Sequence, residues 1–176
     1  MKIGFIGQGW IGKNYADNFE ERGFEIVRYA LEEPFRKNKE GIKDCDIVFI
    51  AVPTPTVAGK FDASIVDASI GLVGKGKIAL LKSTMIPGTA ASLQKAHPDV
   101  IVLYSPEFLS ETTAAYDAAH PFSNIVGMTE EGERQRAAAE AVHAVLPPAP
   151  FALTCKSAEA EIIKYTHNAS GYVQIM

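Results

Sequence analysis

Apolar positions in this chain come in short runs, and glycine-rich or polar segments separate them at regular intervals. Residues 3–6 form a strand-length apolar run, and helical spacing follows with Ile11, Tyr15 and Phe19 on one face. Behind a turn at Gly23, residues 24–30 read as a second strand. A short, weakly specified helix is expected after Pro34. Residues 46–52 are apolar on both faces, as a central parallel strand should be, and Pro53-Thr54-Pro55 stops them. Ile65, Val66, Ile70 and Val73 give a helix its apolar face, with Asp62 as cap and Gly74 at its end. Residues 77–81 and 100–103 read as strands four and five, and 124–127 as a short sixth. An alanine-rich helix, capped by Thr129 with Glu130, Glu131 and Glu133 in its first turn, runs to about Leu146. After Pro147-Pro148-Ala149-Pro150, residues 151–153 suggest an edge strand. Ser157 then opens a final helix to Met176.

Strands alternating with helices predict an α/β fold, a Rossmann-like doubly wound and mostly parallel sheet with helices on both faces. In such sheets ligands sit beyond the carboxyl ends of the strands. The first of those ends carries Gly7-x-Gly9-x-x-Gly12 without a gap, strand before it and helix after it. That is the context a dinucleotide fingerprint requires. Gly7 suits the tight turn, Gly9 the approach of a pyrophosphate and Gly12 close packing of helix on strand. The position where an acid usually takes the ribose hydroxyls is Ala30, so Glu32 or Glu33 is expected to reach the ribose. Arg36, Lys37 and Lys39 favour either a 2′-phosphate or a solvated helix face.

Three later strand ends deliver further polar residues to the same edge. They are Val52-Pro53-Thr54-Pro55, Lys82-Ser83-Thr84 and Ser105-Pro106-Glu107-Phe108-Leu109-Ser110-Glu111. Hydroxyls after a strand cap the next helix as readily as they bind a ligand, and the two carboxylates suit acid/base or water-positioning work. On the last helix Glu161, Lys164 and Asn168 share one face.

Composition removes some classes. A net charge of −4 gives no lead toward nucleic acid or anionic membrane as a partner, and no apolar segment nears a membrane span. No signal peptide is expected. Cys45 and Cys155 lie far apart with no metal-type spacing, which predicts a reduced, cytoplasmic protein. The four histidines show no metal pair, and no metal site is expected; only His167, near Lys164 and Asn168, has candidate neighbours.

Taken in order, these blocks resemble the NAD-binding domain of the UDP-glucose/GDP-mannose dehydrogenase family. The resemblance runs from Gly7-x-Gly9-x-x-Gly12 through Val52-Pro53-Thr54-Pro55, Gly59-Lys60-x-Asp62, Ser83-Thr84-x-x-Pro87-Gly88-Thr89 and Ser105-Pro106-Glu107-Phe108-Leu109-x-Glu111. Asp117, Pro121 and Gly127 follow, and Glu161-x-x-Lys164-x-x-x-Asn168 ends it. It implies oxidation of a nucleotide sugar's C6 alcohol to a carboxylate with two NAD, a UDP-sugar being the expected substrate. In that family a cysteine thiol captures the aldehyde and water hydrolyses the thioester. The implied cofactor set is Gly7, Gln8, Gly9, Trp10, Ile11, Gly12, Glu32, Val52, Pro53, Thr54, Ser83, Thr84 and Glu111. The implied catalytic set is Glu107 for water, Lys164 and Asn168 for the substrate oxygen, Glu111 near the nicotinamide, and Thr84. Phe108, Leu109 and Glu111, with Lys164 and Asn168, would touch the sugar.

Residues 1–156 are thus expected to form the NAD-binding domain, and 157–176 to begin a linking helix toward a central region that could carry a homodimer. The family's nucleophilic cysteine belongs to a C-terminal part outside these 176 residues, so the chain alone is expected to oxidise little or no sugar. Two departures stand beside the match: Ala30, and Pro121-Phe122-Ser123-Asn124 where the family usually has an arginine. The rival readings are a non-enzymatic dinucleotide-binding or interaction module, and the related β-hydroxyacid dehydrogenases. The latter lack the Val52-Pro53-Thr54-Pro55 and Glu107-Phe108-Leu109 blocks.

Overall fold

The computed structural model describes residues 1–175. Strand β1 (Lys2–Ile6) feeds helix α1 (Trp10–Glu21), and β2 (Glu25–Tyr29) returns beside β1. The weak pattern after Pro34 becomes a 3-10 helix, Arg36–Asp44, and leads into β3 (Ile47–Ile50) on the other side of β1. A small antiparallel ribbon follows, β4 (Thr56–Val57) with β5 (Lys60–Phe61). Then come α2 (Ser64–Ile70), β6 (Ile78–Leu81), α3 (Thr89–Ala96), β7 (Ile101–Tyr104) and α4 (Ala114–Ala119). The chain finishes with β8 (Ser123–Met128), α5 (Glu133–Val145), β9 (Phe151–Lys156) and α6 (Ser157–Ile175).

Seven strands make one sheet in the order β2-β1-β3-β6-β7-β8-β9. β8 runs antiparallel to β7 and parallel to β9; the other pairs are parallel. The strands β2, β1, β3, β6 and β7 therefore end at one edge, and the order reverses between β1 and β3. That reversal opens a crevice.

Two apolar layers cover the sheet. Phe5, Phe19 and Phe49 meet at centroid distances of 4.9 to 5.4 Å beneath α1, with Tyr15 and the alanines of α5 in the same layer. Aromatic pairs of this kind add roughly 0.5–1.5 kcal/mol each beyond the area they bury. Val66, Ile70, Met85, Ala90 and Ala160 build the opposite layer under α2, α3 and α6.

Several local expectations change. Thr129 does not cap α5, which starts at Glu133 behind Gly132; its hydroxyl donates to the Val102 carbonyl at 2.8 Å instead. A buried network around Gln94 claims it, and that pairing is invisible in a sequence window. Ile65 stands 40% exposed rather than in the core, because it faces the crevice. Asp62 does accept a hydrogen bond from the Ser64 amide at 2.8 Å at the start of α2.

Candidate active site

The three glycines after β1 sit in three different environments. Gly7 has φ +90°, and a Cβ there would stand 2.1 Å from the Ala51 carbonyl oxygen. A Cβ on Gly12 would lie 1.9 Å from the Gly7 oxygen, so α1 crosses the turn at a distance no side chain permits. Gly9 has open space around it, nothing within 4 Å of the Cβ position. It is also the N-cap of α1, with no side chain capping the helix and no acid in the first turn. Backbone N–H groups with a partial positive charge thus face an open space, which is how helix starts hold phosphates.

That space is a cleft of about 1140 Å³ at the reversal point. Gly7, Gln8, Gly9, Trp10 and Ile11 line it together with Val52 and Pro53 and with Ala30, Glu32, Glu33 and Lys39. Both acids weighed for the ribose therefore reach the cleft. Of the basic residues, Lys39 lines it, while Lys37 faces a separate groove beside Arg28. The size, the bare helix start and the absent side chains fit a dinucleotide.

Thr54, Ser83, Thr84 and Glu111 are not among the cleft walls. Ser83 is buried and bridges two strand ends, its hydroxyl donating to the Val52 carbonyl at 2.6 Å and accepting from the Val52 amide at 3.0 Å. Thr54 donates to the Thr84 carbonyl at 2.8 Å. These hydroxyls brace the loops after β3 and β6 against each other. Glu111 is exposed on the loop before α4.

Beyond β7 the structure brings Glu107 and Lys164 together. The Lys164 ammonium donates to Glu107 Oε1 at 2.7 Å and to the Glu107 carbonyl at 2.6 Å. Both side chains are below 10% exposed. Glu107 Oε2 accepts from the Leu109 amide at 2.8 Å, and the Phe108 ring lies 5.5 Å from the ammonium. Phe108 also packs on Phe122 and His167. Asn168 is not part of this cluster; one turn further along α6 it is exposed, 3.5 Å from the His167 ring.

Glu161, on the same helix face, turns away to α3. Its carboxylate accepts from the Gly88 amide at 2.6 Å and the Ala90 amide at 2.8 Å, which caps α3 and docks α6 on it. Burial pushes its carboxyl above the usual carboxylate range. Glu161→Ala would leave two amides without partners, and a loss of about 2 kcal/mol in a urea melt is expected.

The sequence reading passed over Lys82. The residue is 3% exposed, and its ammonium donates to Ser105 Oγ at 3.2 Å and the Pro106 carbonyl at 3.1 Å. The sequence signal is partial: Lys82 directly follows four buried residues, Ile78–Leu81, but its own burial comes from the packing of α1 over it. The cysteines are quiet. Burial raises both thiols, Cys45 to about 11, so the start of α6 does not activate Cys155.

A sequence profile described as the UDP-glucose/GDP-mannose dehydrogenase family, NAD binding domain, matches residues 31–146. The match lies downstream of the glycine turn and stops before Lys164. UDP-glucose 6-dehydrogenase of Bos taurus is 34% identical over 149 residues, covering 74% of this chain and 30% of its own. A UDP-glucose 6-dehydrogenase of Haloferax volcanii is 24% identical, covering 96% of this chain and 51% of its own. The crystal structure of a GDP-mannose dehydrogenase ternary complex from Pseudomonas aeruginosa superposes with a TM-score of 0.83 at 20% identity. It covers 99% of this chain and 51% of that one, and shares the fold. The chain spans about half the length of two of these relatives and 30% of the third. With the profile matching well over half of its residues, the chain belongs to the UDP-glucose/GDP-mannose dehydrogenase family and carries that family's NAD-binding domain.

Proposed function

We propose that this chain is the cofactor-binding part of a nucleotide-sugar 6-dehydrogenase, with a UDP-sugar as substrate. The observation that carries the reading is the buried Glu107–Lys164 pair, set at the strand edge on which the glycine cleft opens. Replacing a buried ion pair by apolar residues is often neutral or stabilising, so such a pair is poorly explained by stability. A fold that only holds a dinucleotide has no use for it there.

In this reading the Gly7–Gly12 turn and the α1 start hold the pyrophosphate, and Glu32 or Glu33 holds the adenosine ribose. NAD supplies a hydride acceptor. Lys164 offsets negative charge on the substrate oxygen, and Glu107 orients or activates water, both in a site from which solvent is largely excluded. Phe108 and Leu109 meet the sugar, and the family resemblance adds Glu111, Thr84 and Asn168 to the site. Two free cysteines suit a cytoplasmic setting. The exposed Ile162, Tyr165, Tyr172 and Val173 of α6 offer a face for a homodimer.

Calorimetric titration of the chain with NAD and NADP tests the cofactor assignment. Saturable NAD binding is expected, with NADP at least about tenfold weaker. Alanine at whichever of Glu32 and Glu33 serves the ribose should weaken NAD about tenfold or more, the worth of a hydrogen bond to a charged group. Preference for NADP would transfer the role to the basic residues after Pro34 and overturn the assignment. The reaction is tested by NADH formation from a UDP-sugar when this chain is joined to the C-terminal half of a relative. No NADH from a folded chimera that binds NAD would sink the enzyme reading.

A further inference from the structure

Lys82 and Lys164 approach the Pro106–Glu107 turn from the two helix layers. Lys164 comes from α6 and donates to the carbonyl of Glu107. Lys82 lies beneath α1, its ammonium 4.5 Å from the Tyr15 ring centroid, and donates to the carbonyl of Pro106. Consecutive carbonyls of one turn are thus held by ammonium groups on opposite faces of the sheet. Lys164 has a carboxylate against it, whereas among the described residues the hydrogen bonds of Lys82 go to neutral oxygens. A buried cation without a carboxylate in contact is costly, and the face of an aromatic ring offsets only part of that cost.

We propose that Lys82 is a positioning residue for Glu107, gripping the Pro106 carbonyl so that the carboxylate and carbonyl of Glu107 stand where Lys164 meets them. The role of Glu107 in catalysis rests on the enzyme reading above; the coupling of Lys82 to Glu107 does not. The grip depends on pH. Burial lowers the Lys82 amine to about 7, with Glu107 opposing that shift and Lys164 adding to it. The other groups facing it are Tyr15 from α1, with Asp117 and His120 from the α4 side of a cavity of about 190 Å³ that Lys82 also lines. Burial holds the Tyr15 hydroxyl well above its ordinary range, so it stays neutral throughout. While the amine is protonated the Lys82 bonds are charge-assisted, and they weaken when it loses its proton.

The test is carboxyl and side-chain NMR on the ¹³C-labelled chain, with no substrate present. The Glu107 Cδ resonance, assigned with Glu107→Gln, should show an inflection near pH 7 in the wild-type chain. In Lys82→Met that inflection should vanish while far-UV circular dichroism stays unchanged. Survival of the inflection in Lys82→Met overturns the proposal, as does a wild-type Glu107 resonance without it. Should Lys82→Met not fold, the wild-type chain decides alone. The Lys82 Cε titration must share its midpoint with Glu107 Cδ, and a Lys82 that titrates while Glu107 stays still overturns the coupling. A loss of NAD binding or of sugar oxidation would leave this result untouched, so the two readings fail separately.

Discussion

Gly9→Ala is expected to leave the fold in place and remove most NAD binding, whereas Gly12→Ala is expected to do its damage through the fold. The Cβ positions make the difference. At Gly9 the new methyl meets nothing within 4 Å, so stability in urea should stay within about 1 kcal/mol of wild type, cap and chain-entropy effects partly cancelling. The methyl would occupy the space over the uncapped start of α1, and NAD affinity should fall at least about tenfold. At Gly12 the methyl would sit 1.9 Å from the Gly7 oxygen, and helix and turn would have to separate. Overpacking of this kind costs about 1–3 kcal/mol or more. Gly7→Ala adds left-handed strain at φ +90° to an overlap with Ala51, so a total of about 3 kcal/mol or more is expected. For a chain of this size that corresponds to a midpoint lower by roughly 6–12 °C. Urea melts and calorimetry on the three variants separate the roles. Wild-type NAD affinity in Gly9→Ala would place the phosphates elsewhere, and wild-type stability in Gly12→Ala would contradict the close helix crossing.

The glycine turn was legible because its constraint is local: strand, turn and helix follow one another within a dozen residues. The centre of the sheet was legible for the same reason, β1, β3, β6 and β7 each announcing themselves by a run of buried residues, while β2 and β9 carry few or none. What the sequence leaves open is set by partners distant along the chain. Ser83 and Thr54 carry the residue types of a ligand-binding loop, yet their hydroxyls are taken up by Val52 and Thr84 about thirty residues away. Glu161 and Lys164 share a helix face, but that face crosses two neighbours, so one residue caps α3 and the other pairs with Glu107. Asn168 keeps the same spacing and falls on a stretch of α6 whose residues are all exposed. Helical periodicity states which residues point the same way; it does not state what they point at. Lys82 is the reverse case, a charge whose significance lies in burial that only the assembled layers create.

Lys164→Met should be the most destabilising change at the strand edge. The substitution keeps the apolar length of the side chain and removes the ammonium from Glu107 Oε1 and from the Glu107 carbonyl. The carboxylate would stay buried with the Leu109 amide as its hydrogen-bond donor. Breaking a buried pair from one side costs about 3–5 kcal/mol, because it strands the remaining charge rather than because the pair itself is worth so much. The companion Glu107→Gln/Lys164→Met should therefore be more stable than Lys164→Met alone, having no charge left to strand. That reversal in order, read from urea midpoints at constant m-value, distinguishes a buried pair from two independent contacts. A loss under about 1 kcal/mol in Lys164→Met would mean that the pair is solvated. Lys164 lies outside the glycine cleft, so the folded fraction of each variant should bind NAD within about threefold of wild type, a difference under 1 kcal/mol. Intact cofactor binding beside a collapsed Glu107–Lys164 pair would show that one sheet edge carries two separable devices, the dinucleotide cleft and the buried ion pair.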